Sequence, residues 1–278
     1  MLSRVLVGLD GSERAQHAVS WVRAVFPRAE LILLTAIKPG CHCSAPDCVY
    51  TNQMALLQIQ AARRYLTATA EALAPGSRIV VQEGSPAHSI LNAATRLDAD
   101  LIVVTTHSAT GARTPLLGGT AEQLLFGAHR PLLFLPVRNG RPIPPLRIRR
   151  ILAPLDGSDI SEMILPLAES VAAESGAEIL IGHILTGPED RPHLSCRLPG
   201  AKIVMRRGAV PEDLLALARE KNVDLISMCA HGHGGLNRRM FGSVTTRVVR
   251  ESTVPVLVAR HDALKRLSRP PREQAHAG

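Results

Sequence analysis

The chain repeats itself, and that limits its fold more than any other feature. Residues 5–12, VLVGLDGS, return as residues 151–158, ILAPLDGS. AELILL at 29–34 returns as AEILIG at 177–182, and DLIVVTTH at 100–107 returns as DLISMCAH at 224–231. RPLLFLPV at 130–137 returns as VPVLV at 254–258. Matches in the same order in both halves imply a duplication. The join, RNGRPIPPLR at 138–147, is rich in proline, which fixes φ and lacks an N–H donor, so it reads as a linker. The sequence therefore divides into a first domain at 1–138, a linker at 139–148, a second domain at 149–262 and a basic, disordered tail at 263–278.

Within each half, short apolar runs alternate with helical patterns. Residues 12–24 carry Ala15, Ala18, Val19 and Val22 at helical spacing, and residues 50–73 carry Leu57, Ala61, Tyr65 and Ala68. Strands alternating with helices imply β-α-β units and an α/β fold with a mostly parallel sheet. The runs at 31–34 and 101–104 are apolar without alternation, as in strands covered on both faces. The second half replaces the long helix with residues 185–200, rich in Pro and Gly, so one side of its sheet should be thinly covered. Ligands on such sheets bind beyond the carboxyl ends of strands. Asp10, Asp156, His107 and His231 fall at those ends.

The stretch CAHGHGGLNRRMFGSVT, from Cys229 to Thr245, joins a predicted strand to a predicted helix. Gly232, Gly234, Gly235 and Gly242 let a ligand approach the main chain, since no Cβ intervenes. The N–H groups and positive dipole at a helix start attract anions, and Ser243 adds a hydroxyl. The same glycines would also serve a plain strand-to-helix turn. Neither G-x-x-x-x-G-K-[ST] nor G-x-G-x-x-G follows the first strand of either half.

Aromatic residues make up only 3% of the chain, so the core must be aliphatic and the stacking platforms of single-strand nucleic-acid binders are largely missing. No specific nucleic-acid partner is expected. The net charge of +8 comes mostly from arginines, many in the linker and tail; it permits attraction to anions without selecting one. No signal peptide is evident, and no apolar stretch approaches the ~20 residues that span a bilayer. A soluble, cytoplasmic protein is expected, with no membrane partner. Cys41, His42, Cys43 and Cys48 crowd together as CHCSAPDC, a set that could hold zinc or switch by thiol oxidation. The alternative is a reduced loop.

With the duplication, the strand-end Asp and the glycine loop assembled, the chain resembles the universal stress proteins in a tandem two-domain form. The resemblance covers nearly everything except the linker, the cysteine loop and the tail. Members that bind ATP carry Gly, two residues, Gly, nine residues, Gly, then Ser or Thr. The second half matches with Gly232, Gly242 and Ser243, and Cys229 replaces the first Gly. The first half aligns Thr105, Ser108, Gly118 and Gly119, a degenerate version. The resemblance implies two Rossmann-like domains of the adenine nucleotide alpha hydrolase-like type, each with a five-stranded sheet. It implies ATP in the second half, with Pro154, Leu155 and Asp156 beside the adenosine and Ile184 framing the adenine through its main chain. Met228, Cys229 and His231 would line the pocket. Gly232, Gly242, Ser243, Val244 and Thr245 would hold ribose and phosphates, bridged by Mg. It also implies that the last strands of the two halves, 132–137 and 256–259, pair within one chain, and that two tandem chains can form a homodimer.

Taken singly, Asp10 reads as a helix cap and Asp156 as a ligand contact. His107 and His231 read as scaffold residues. His231 has no orienting carboxylate nearby in sequence that would make it a base. The leading function is a regulatory ATP-binding stress protein with slow hydrolysis at most. The alternatives are an interaction module with empty sites and a metal or thiol sensor acting through residues 41–48.

Overall fold

The computed structural model describes residues 2–37, 48–107, 117–137, 147–187, 198–230 and 242–267. In chain order the first half runs β1 (Arg4–Gly8), α1 (Glu13–Val25), β2 (Glu30–Ile37), α2 (Cys48–Leu73), β3 (Arg78–Glu83), α3 (Pro86–Arg96), β4 (Leu101–His107), α4 (Gly119–Gly127) and β5 (Leu132–Val137). The second half runs β6 (Arg150–Pro154), α5 (Asp159–Glu162), α6 (Leu165–Ser175), β7 (Glu178–Leu185), β8 (Lys202–Arg207), α7 (Val210–Glu220), β9 (Leu225–Cys229), α8 (Ser243–Glu251), β10 (Val256–Ala259) and α9 (His261–Leu267).

The described strands form one ten-stranded sheet in the order β3-β2-β1-β4-β5-β10-β9-β6-β7-β8. Every pairing is parallel except the central one, where β10 runs antiparallel to β5 with Leu257 opposite Leu133. The last strands therefore join the halves inside one chain, as the resemblance implied. Val5, Leu6 and Val7 on β1 are all fully buried. Both sheet faces are covered there, so the run needs no polar alternation. One face packs against α1, α2 and α6 through Val19, Leu66 and Ala168. The other packs against α3, α4, α7 and α8 through Ala93, Leu124, Leu214 and Val248.

Local chemistry sets the helix ends. Ser12 caps α1, its hydroxyl accepting from the Ala15 N–H at 3.2 Å. In the second half the equivalent helix is broken into α5 and α6, and Pro166 stands in the first turn of α6. Proline supplies no N–H for a continuous helix. Between β7 and β8 no helix is found among the described residues. Ile203 and Met205 on β8 are 51% and 52% exposed, whereas Val81 on β3 packs into the core beneath α2. The thin cover expected of the second half is present.

The C-terminal boundary needs correction. A disordered tail from 263 was expected, but α9 continues through Leu267 and buries Ala263 and Leu264. Arg266 of the expected tail and neighbouring charges at the end of the second half have partners on the first half. Asp262 meets His129 Nδ1 at 2.7 Å, and Arg266 pairs with Asp98. Arg130 reaches the same Asp98 at 3.1 Å, and Arg260 donates to the Phe126 carbonyl at 3.3 Å. The helix thus straps the second half onto the first. Residues 138–146 of the linker and 268–278 of the tail lie outside the described residues.

Candidate functional site

Both halves build the same turn where their first strand ends. Asp10 Oδ1 accepts from the Ser12 N–H at 3.0 Å and from its hydroxyl at 2.6 Å. Asp156 Oδ1 does the same with Ser158, again at 3.0 and 2.6 Å. Gly11 and Gly157 between them sit at φ +87° and +83°, where a Cβ is disfavoured. The serines, not the aspartates, are the helix caps. Asp10 was read as the cap itself; its carboxylate instead orients the capping serine. Asp156 does the same while standing at the carboxyl end of β6.

The surrounding main chain is held by parallel contacts. Leu155 N donates to the Gly182 carbonyl at 2.8 Å, as Leu9 N does to Leu34. The Leu155 carbonyl accepts from His183 Nδ1 at 2.8 Å, where the first half uses the Thr35 hydroxyl on Leu9 at 3.1 Å. Since a carbonyl only accepts, this contact fixes the proton on Nδ1. Sequence reasoning passed over His183. The signal was a lone imidazole inside an otherwise apolar strand.

The remaining predicted residues divide by what their side chains do. Pro154 ends β6 half-buried and Leu155 is buried in the core. Ile184 and Met228 are buried in the cluster beneath α7 and α8, so only their main chain is available at the strand ends. Cys229 is buried, forms no disulfide and belongs to the opposite cluster, with Leu155, Ile164 and Leu165. The thiol therefore packs away from the face that α8 covers.

At the start of α8, Gly242 is the N-cap at φ −63° and ψ 150°. Those angles suit any residue, and the nearest atom to an added Cβ is the Ala230 carbonyl oxygen at 3.9 Å. Neither backbone strain nor packing among the described residues demands glycine there. Ser243 opens the helix exposed. Val244 packs against the core, and Thr245 is buried with its hydroxyl directed to the Ala230 carbonyl at 3.5 Å. Val244 and Thr245 were expected to hold ribose and phosphates; their side chains anchor the helix, which leaves their main-chain N–H groups for that role. This leaves Ser243 and the first main-chain N–H groups, which lack intrahelical partners. The first turn of α8 contains no acidic residue, whereas that of α4 contains Glu122.

His231, Gly232, Gly234 and Gly235 lie outside the described residues, as do Cys41, His42 and Cys43. The Cys48 backbone opens α2. Among the described residues no cluster of three His, Cys, Asp or Glu side chains could hold a metal ion, and no helix is long and apolar enough to cross a membrane.

Fold and strand-end geometry define the class: a duplicated, mainly parallel α/β protein whose turns of glycine, aspartate and serine gather at the carboxyl ends of its strands. The family model of the universal stress proteins matches residues 1–136 and 196–260, and the chain belongs to that family. A universal stress protein of Mycolicibacterium smegmatis is 24% identical over 292 residues, spanning 92% of this chain and 96% of its own. Universal stress protein YxiE of Bacillus subtilis is 31% identical over 145 residues, 40% of this chain and 98% of the relative. Among solved structures, a universal stress protein from Archaeoglobus fulgidus shares the fold with a TM-score of 0.71 at 19% identity, covering 93% of this chain and 98% of the other.

Proposed function

We propose that the second half binds ATP as a regulatory ligand, with the phosphates at the start of α8 and the adenosine against the carboxyl ends of β6 and β7. The observation that carries this reading is the contrast between the two equivalent helix starts. In the second half the N-terminal residue is Ser243, the cap is an exposed glycine that neither its backbone angles nor the described residues around it require, and the first turn has no acid. In the first half the equivalents are Gly119 and a first turn with Glu122. A helix N-terminus favours negative charge, and an acid in its first turn offsets that effect. Asp156, held by Ser158 at the end of β6, stands where a ribose hydroxyl could donate to it. Magnesium would bridge the phosphates and keep mostly phosphate and water ligands. The ATP would serve as a regulatory ligand, hydrolysed slowly at most.

Titration of nucleotide-stripped protein with labelled ATP, with and without Mg, tests the proposal. Binding at one site per chain that is lost in Gly242→Asp is the expected result. The cap angles accept Asp, and Asp is a favoured N-cap residue, so the variant should fold. Undiminished affinity in that variant would move the phosphates elsewhere.

A further inference from the structure

Among the described residues, three of the large apolar side chains left on the surface lie close together on α2. Met54, Leu56 and Leu57 are 44%, 58% and 57% exposed. The helix outruns the surface it covers. Its inner stripe buries Ala62, Leu66 and Ala70, but from Gln53 to Ala61 no residue is buried. That part is also uncharged, since no Asp, Glu, Lys or Arg stands between Asp47 and Arg63. A helix face left in water is normally marked by charge, and 20% of this chain is charged.

The exposed apolar positions continue along the helix in steps of three and four. Met54, Leu57, Ala61, Tyr65, Ala68 and Ala72 fall on one stripe, because such steps return to the same side of an α-helix. All are exposed except Tyr65, which is half-buried and donates its hydroxyl to the Ser12 carbonyl at 3.4 Å. The stripe runs roughly 27 Å at 1.5 Å per residue. It is large at one end, with Met54 and Leu57, and small at the other, with Ala68 and Ala72. A second copy of the stripe running the opposite way, with Ala61 facing Ala61, sets Met54 against Ala68 and Leu57 against Tyr65. Large residues facing small ones let two helices interdigitate. A chain with a net charge of +8 repels its own copy over much of its surface, but the stripe itself carries no charge.

We infer that α2 is a self-association surface: two chains pair through antiparallel α2 helices, along the stripe from Met54 to Ala72, into a closed twofold dimer. The last strands cannot serve this purpose, since β5 and β10 already pair with each other inside one chain. Between β7 and β8 no second such helix is found among the described residues, so the stripe occurs once per chain and an isologous pairing stops at two. α2 packs on one sheet face and α8 on the other. The pairing therefore leaves the start of α8 open and stands independently of the ATP reading.

Sedimentation equilibrium of the full, nucleotide-free chain tests this. The parent should rise with concentration to twice the 29.8 kDa of one chain. Leu57→Glu should raise the dimer Kd at least tenfold. Met54→Ala leaves a gap and Ala68→Met crowds the partner's Met54, so each should do the same. The two together in one chain should restore Kd to within about threefold of the parent. Met54, Leu57 and Ala68 are exposed and every replacement is a good helix former, so circular dichroism and melting temperature should match the parent. Met205→Glu, in the exposed apolar pair on β8, should leave Kd unchanged. A parent chain that stays monomeric, a dimer indifferent to Leu57→Glu, tighter association in Ala68→Met, no restoration in the double variant, dissociation by Met205→Glu, or capture of the parent by phospholipid vesicles through Leu57 would each overturn the inference.

Discussion

Replacing Ser243 with Asp should separate binding from stability in opposite directions. Ser243 is the first residue of α8, exposed, directly after the Gly242 cap. A carboxylate there would face the phosphates that the proposed pose puts at the helix start. At about 4 Å and an effective dielectric near 20, two like charges repel by roughly 4 kcal/mol. Exposure and salt reduce this, leaving about 2–3 kcal/mol. Losing the hydroxyl's charge-assisted hydrogen bond adds about 1.5 kcal/mol. At 1.4 kcal/mol per decade, the affinity for ATP should fall by roughly 300-fold or more. The same carboxylate suits the positive end of the helix dipole and should stabilise the free protein by about 0.3–1 kcal/mol. Its melting temperature should therefore hold or rise by up to about 4 °C. Isothermal titration and thermal melting of the same nucleotide-free preparation measure both. Unchanged ATP affinity would refute the placement. A lowered melting temperature would refute the account of the helix start.

Three further perturbations test the fold. Leu264→Ala removes a side chain that is 4% exposed in the strap helix α9; unfolding in urea should show a loss of about 2–5 kcal/mol, and a change under 0.5 kcal/mol would mean the strap does not hold the halves. Gly208 sits at φ +153°, and an added Cβ would lie 1.9 Å from Asp213 Oδ2, so Gly208→Ala should cost about 1–3 kcal/mol, read as a lower urea midpoint. The Arg130 hydrogen bond, with Arg266 and Arg4 nearby, holds the Asp98 carboxyl below its usual range. A carboxyl lowered in the folded state stabilises fully above its unfolded pKa, near 4, and that contribution is lost as pH falls through the folded value. Stability measured from pH 6 to pH 3 should therefore drop less steeply in Asp98→Asn than in the parent chain.

The repeat made most of the architecture legible. Apolar runs such as 101–104 declared strands covered on both faces, because such strands have no solvent side to mark with polar residues. The long second helix was visible in its spacing, and the thin second half in its missing counterpart. Less was legible where the meaning of a residue depends on what packs against it. Arg266 read as part of a solvated tail until Asp98 was brought beside it from far along the chain. Thr245 matched a phosphate-contacting position, yet its side chain turns inward to the Ala230 carbonyl. His183 carried little periodic signal, since its role is a single contact to a neighbouring strand end.

By itself the sequence determined the duplication, the alternation of strands and helices, and the family, because these rest on order and short-range periodicity. Only the tertiary structure decided which residues share a strand end and which way each side chain faces. Those properties depend on register between strands distant in the chain. One register position sets Ala36 beside Gln82 in one half and Ile184 beside Arg206 in the other.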